Sequence, residues 1–185
     1  MLSQEEKRVI LALAKEAVKS AVLNREINKE YWLSKYPWLN QKGAVFVTLN
    51  KNKNLRGCIG SIIAHQSLID DIINNAKSAA LNDPRFRPVE AKELDKLDIE
   101  VSYLTTPKLL NYKSIDDLKR KIRPKIDGVI INYNGYQATY LPSVWRQLPD
   151  FDSFFATLCQ KAGLNRNCLE LHPTIYTYEA IEIKD

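Results

Sequence analysis

The chain has 185 residues, 45% of them apolar and 26% charged, with a net charge of +5. That is the composition of an ordinary globular protein, long enough to bury a core without staples and short enough for a single domain. It excludes a low-complexity chain, and the modest positive charge permits phosphate or nucleic-acid binding without requiring it.

The opening Met1-Leu2-Ser3-Gln4-Glu5-Glu6 lacks the positive start and apolar stretch of a secretory signal. No run approaches the roughly 18 apolar residues of a membrane span, so the expected location is the cytoplasm. Ser3 with Glu6 makes a capping box, and Val9, Ile10, Leu13, Ala14, Ala17, Val18 and Ala21 recur at helical spacing. These predict a helix from Ser3 to about Asn24. The aromatic-rich Tyr31 to Trp38 reads as a packed loop. Gly43 to Asn50 reads as a buried strand, Lys51 to Asn54 as a turn, and Leu55 to Gly60 as the returning strand of a hairpin.

A second capping box, Ser67 with Asp70, opens a helix that ends before Asp83-Pro84. Leu97 to Leu104 alternates as a half-buried strand. Ser114 to Ile122 reads as a short helix. Gly128 to Tyr133 and Tyr136 to Tyr140 flank Asn134-Gly135, which suits a type I′ turn. Phe151 to Ala162 is an amphipathic helix, and Thr174 to Ile183 a terminal strand. Hairpins and helices alternate without a regular βαβ repeat, so the fold class is α+β with a mostly antiparallel sheet flanked by helices.

Three cysteines, an odd number, argue against a disulfide framework, although Cys159 and Cys168 could pair if their side chains met. No C-x-x-C pair exists and His65 and His172 are the only histidines, so neither a structural metal nor a cofactor is expected.

The stretch that invites chemistry is Leu55-Arg56-Gly57-Cys58-Ile59-Gly60. In an extended segment Arg56, Cys58 and Gly60 share one face, and a guanidinium beside a thiol favours the reactive thiolate. Free cysteines are also among the most buried residues, so packing is the plainer role. As a nucleophile Cys58 would need a base. His65 is the nearer candidate and His172 the weaker one, while Glu100 shares a strand face with Asp98 and Ser102. Gly57 and Gly60 would shape a backbone wall and leave N–H groups accessible. In Asp83-Pro84-Arg85-Phe86-Arg87, extension would put Arg85 and Arg87 on one side, able to clamp an anion. The rival role is cations complementing the end of the preceding helix. Nine tyrosines and scattered lysines permit RNA binding, but no nucleic-acid motif is present.

The hexapeptide also resembles the hallmark of the AMMECR family. Gly43-Ala44-Val45-Phe46-Val47-Thr48, Asp83-Pro84-Arg85-Phe86-Arg87-Pro88-Val89, Glu93-Leu94 and Ile99-Glu100-Val101-Ser102 agree in order and spacing. So do Asp127-Gly128-Val129, Leu141-Pro142-Ser143-Val144-Trp145 and Leu158-Cys159-Gln160-Lys161-Ala162-Gly163-Leu164. Ser143 departs from the glutamine of many members. The resemblance implies a single AMMECR domain over 1–185, bilobed, with the hexapeptide in a cleft between a larger and a smaller lobe. It assigns no firm reaction. Prokaryotic members resemble one component of a predicted three-part system, so a Memo-type protein and a radical S-adenosylmethionine enzyme are the implied partners. Three functions follow as expectations. The first is a small enzyme or enzyme subunit using Cys58 on an anionic or nucleotide-like substrate, with Arg56, Arg85 and Arg87 as its binding cations. The second is a protein-interaction module, and the third an RNA-binding accessory.

Overall fold

A computed structural model describes all 185 residues. In chain order its elements are α1 (Gln4–Val22), α2 (Lys29–Lys35), β1 (Ala44–Lys51), β2 (Asn54–Gly60), α3 (Leu68–Leu81), β3 (Leu97–Leu104), β4 (Lys108–Leu109), α4 (Ile115–Lys121), β5 (Gly128–Tyr133), β6 (Tyr136–Tyr140), α5 (Phe151–Lys161), β7 (Thr174–Tyr178) and β8 (Ala180–Ile183). Short 3₁₀ turns punctuate them. The fold is α+β, as expected. It divides into two compact units, one of Met1–Leu104 with Ile181–Asp185 and the other of Thr105–Ala180.

In the first unit a four-stranded sheet runs in the order β2-β1-β3-β8. β1 pairs antiparallel with both β2 and β3. Val45, Val47, Leu49 and Val101 turn one face into a core shared with Ile10, Leu13 and Ala14 of α1 and with Ile69, Ile72 and Ala76 of α3. Ser3 caps α1 and Ser67 caps α3 as their boxes predict. The buried Asp71 of α3 accepts from the Val45 N–H at 2.8 Å and the Ser61 hydroxyl at 2.7 Å, tying the helix to the start of β1.

Tyr31 to Trp38 is not a loop. Asn28 caps α2 by accepting from the Tyr31 N–H, and a 3₁₀ turn follows at Pro37–Asn40. The rings of Trp32, Tyr36 and Trp38 then pack in sequence along the segment. Aromatic residues have only middling helix propensity, and here the cap and the packing override it.

In the second unit the order is β4-β7-β5-β6. The Asn134-Gly135 hairpin has its expected register, with Val129 opposite Tyr140 and Ile131 opposite Ala138. Both turn residues have positive φ. The core gathers Val129, Ile131, Trp145, Phe154 and Leu158.

The terminal strand breaks at Glu179, whose N–H donates to Thr105 Oγ1 while its carbonyl accepts from the Thr105 N–H. β7 and β8 therefore belong to different sheets.

Cys159 and Cys168 form a disulfide, with Cα atoms 5.8 Å apart. The pairing that the sequence left open is thus present, against the expectation drawn from the odd number of cysteines. The end of α5 and the turn at Cys168–Leu171 bring both residues into the same buried site. Cys58 alone is free. No helix is long and apolar enough to cross a membrane.

Candidate functional site around Cys58

Cys58 sits on β2, the edge strand, directly opposite Thr48 on β1. Thr48 in turn stands opposite Glu100 on β3. Neighbouring side chains alternate faces along a strand. The core residues Val47 and Leu49 face the helices, so Cys58, Thr48 and Glu100 form a row on the other face. All three are half-buried. Thr48 Oγ1 lies 3.2 Å from Cys58 Sγ. Directly opposed residues have Cβ atoms about 5 Å apart, so Thr48 stands between the thiol and the carboxylate in the row.

The backbone of Cys58 is held from outside the sheet. Its N–H donates to Asp83 Oδ2 at 2.9 Å, and its carbonyl accepts from Arg85 Nη2 at 3.2 Å. Arg85 also donates from Nε and Nη2 to the Asp83 carboxylate. The Asp83-Pro84-Arg85 turn thus supplies the edge strand with the hydrogen bonds a further strand would otherwise make.

The thiol is pushed above its ordinary value. Burial is the first cause, and the charges of Asp83 and Glu100 add to it, outweighing the opposing Thr48 hydrogen bond and Arg85 charge. Cys58 is therefore a protonated thiol at neutral pH, not the thiolate that an adjacent arginine would favour.

A relative from Methanothermobacter thermautotrophicus is 36% identical over 181 residues, covering 97% of this chain and 94% of the relative. Protein MJ0810 of Methanocaldococcus jannaschii is 36% identical over 171 residues, covering 88% of this chain and 83% of that one. The crystal structure of the uncharacterized protein PH0010 from Pyrococcus horikoshii matches with a TM-score of 0.85 at 33% identity, covering 98% of this chain and 92% of that one. The AMMECR1 family model spans residues 11–183. The chain belongs to the AMMECR1 family.

Within this AMMECR1 chain the other candidate residues are placed as follows. Arg56 does not stand beside the thiol. The register shifts between Leu49 and Asn50, so that Leu55 and not Arg56 opposes Asn50. That bulge takes Arg56 out of the strict alternation on which the expected face rests. Its guanidinium donates to both Glu93 oxygens at 3.1 Å and to the carbonyls of Arg87 and Pro88. Lys51 reaches the same Glu93 at 2.8 Å. Arg85 is the cation that acts on the thiol.

The Arg85 side chain is 54% exposed, and Nη1 makes no bond within the chain. Arg87 is exposed, and only its carbonyl is engaged. His65 is exposed, with its Nδ1 at 3.2 Å from the carbonyl of Ile63, and makes no hydrogen bond to Cys58. His172 belongs to the second unit, stacked on Tyr112.

The glycines serve packing. A Cβ on Gly57 would stand 2.2 Å from the Ala79 carbonyl oxygen of α3, and one on Gly60 would meet the Phe46 ring at the same distance. With the Cys58 N–H already bound to Asp83, the motif presents no ready oxyanion hole.

Thr48 and Glu93 carry roles that the motif reading did not assign. Folding the hairpin about Asn52-Lys53 in strict register would set Thr48 opposite Gly57, and it is the bulge that moves it opposite Cys58. Glu93 has one local partner, the Glu90 N–H, but the cations that tie it to the site lie 42 and 37 residues away.

Proposed function

We propose that the Cys58–Thr48–Glu100 row is the reactive centre of a small enzyme or enzyme subunit, acting on a substrate that carries an anionic group. The observation that carries this reading is the 3.2 Å contact between Thr48 Oγ1 and Cys58 Sγ, with Glu100 next in the row. A neutral thiol with a hydroxyl and a carboxylate at hand is a latent nucleophile. The thiol gives its proton to solvent and the Thr48 hydroxyl then donates to the thiolate; as sulfur bonds to an electrophilic carbon, the displaced electron pair moves onto the substrate's acceptor atom, which takes up a proton from solvent. Holding the group protonated until a substrate arrives also spares it from adventitious oxidation. Arg87 and the outward edge of Arg85 are the cations available to the anionic group.

The test is labelling of the folded chain with neutral iodoacetamide and anionic iodoacetate, mapped by peptide mass. Cys58 should label in the folded state, iodoacetate should gain on iodoacetamide, and Arg87→Ala should remove that gain. Cys58 that labels only after unfolding would end the enzymatic reading.

A second reading is a non-catalytic interaction module. It is favoured by the raised thiol pKa and by the engagement of Arg56 and Arg85 within the chain itself. Its implied partners are a Memo-type protein and a radical S-adenosylmethionine enzyme. Under it, Cys58→Ser retains partner binding in a pull-down while Phe86→Ala weakens it.

A further inference from the structure

Beside the reactive row lies a hollow of about 440 Å³ within the first unit. Asn50, Lys53, Asp98, Glu100 and Lys184 contribute its polar walls, and an ion pair between Lys15 and Asp185 closes one side. Asn50 and Asp98 oppose each other on β1 and β3, two residues along from Thr48 and Glu100 and on the same face. The hollow thus shares Glu100 with the row.

Its charges are unspent. Asp98, Glu100, Lys53 and Lys184 make no ion pair or hydrogen bond through their side chains within the chain, nor does the Asn50 amide, and Asn50 and Glu100 are both half-buried. Two free carboxylates and two free ammoniums converge on one cavity. A purely anionic ligand would be repelled by Asp98 and Glu100, and a purely cationic one by the lysines. A molecule bearing both charges satisfies all four.

We propose that this hollow binds a small zwitterion of the amino-acid class, its ammonium at Asp98 and Glu100 and its carboxylate at Lys53 and Lys184. This ligand is a second reactant beside Cys58, an assignment that rests on the row being reactive. The binding itself does not. Occupancy is coupled to the thiol because Glu100 faces both. The groups around Cys58 are Thr48 of β1, Glu100 of β3, and Asp83 and Arg85 of the edge turn. Burial is the chief cause of the raised thiol pKa, and an ammonium on Glu100 cancels one of the two negative charges that add to it, so a filled hollow releases the thiolate more readily.

The experiment uses δ-aminovalerate as the zwitterionic probe, with valerate and butylamine as its two halves. Binding is followed by NMR chemical shifts on the full chain, and Cys58 labelling by iodoacetamide is read in parallel. δ-Aminovalerate should bind saturably and each half about tenfold more weakly. Asp98→Asn and Lys184→Ala, both exposed and unlinked to the core, should each weaken it about tenfold. Cys58→Ser should bind the probe unchanged. Saturating probe should speed wild-type labelling several-fold, and Glu100→Gln should abolish that acceleration.

No saturable shift, or equal binding by both halves, overturns the hollow while leaving a labelled Cys58 intact as a nucleophile. Probe binding with a Cys58 that never labels upholds the hollow and overturns its role as a second reactant.

Discussion

Asp83 Oδ2 accepts the backbone N–H of Cys58 at 2.9 Å, so the strand that carries the free thiol is anchored by a side chain 25 residues further along. Around that anchor the site is built from paired charges: Asp83 with Arg85, and Glu93 with Arg56 and Lys51. The arginines of the motif stabilise the edge of the sheet before they serve any ligand.

Replacement of the two side chains in the row should move the thiol in opposite directions. Glu100→Gln removes a charge that raises the Cys58 pKa, and Thr48→Val removes a hydrogen bond that lowers it. Thiolate ultraviolet absorbance against pH should titrate lower in the first variant and higher in the second. Labelling without added ligand should run a few-fold faster and a few-fold slower, respectively. Shifts in the same direction would refute the arrangement.

Acid should loosen the same edge. Arg85 holds the Asp83 carboxyl well below the usual carboxylate range. Arg56, with the Glu90 N–H and Lys51, holds Glu93 down at about 2. A carboxyl with a lowered folded pKa contributes stability that is complete above its unfolded value and is lost as pH falls through the folded one. The first unit should therefore weaken from roughly pH 4.5 downward, most of the Glu93 share being gone near pH 2. Glu93→Gln should cost about 2 kcal/mol at neutral pH and flatten that acid limb in urea midpoints measured against pH. An acid limb as steep as the wild type's would count against it.

Gly57→Ala should destabilise the first unit by about 2 kcal/mol or more, because the new methyl meets the backbone of α3 and not a movable side chain. Gly135→Ala is the contrast. A Cβ there meets nothing within 4 Å, and only its positive φ of 83° opposes the change, at about 1 kcal/mol. Urea unfolding of the two variants should keep that order.

The disulfide closes a loop of sequence separation 9 in the second unit. Cys159→Ala with Cys168→Ala should lower stability by roughly 2–3 kcal/mol. Thiol titration of the denatured, unreduced chain should find Cys58 alone. Three titrating thiols there would show the bridge to be absent.

The elements that the sequence made legible are those with local signatures. Ser3, Ser67 and Ser114 announce their helices through caps, and Asn134-Gly135 sets a hairpin register that Ile131 and Ala138 obey. The break at Glu179 was hidden because its cause, Thr105, is 74 residues away. At the site, the motif drew attention to Cys58, which is free and half-buried, but the neighbours expected from it are placed differently. One bulge before Cys58 was enough to exchange Arg56 for Arg85 as the cation beside the thiol. Gly57 and Gly60 looked like ligand-facing glycines. A close helix and an aromatic ring need the absence of a side chain just as a ligand would, and a single sequence does not separate the two demands.

The bond between Cys159 and Cys168 leaves Cys58 without a partner thiol anywhere in its own chain. A sulfenic acid formed on it has no internal resolving cysteine to condense with. Its repair falls to a small thiol or another protein arriving from solution, and the lifetime of the oxidised protein is set by how readily that visitor reaches the edge of the sheet.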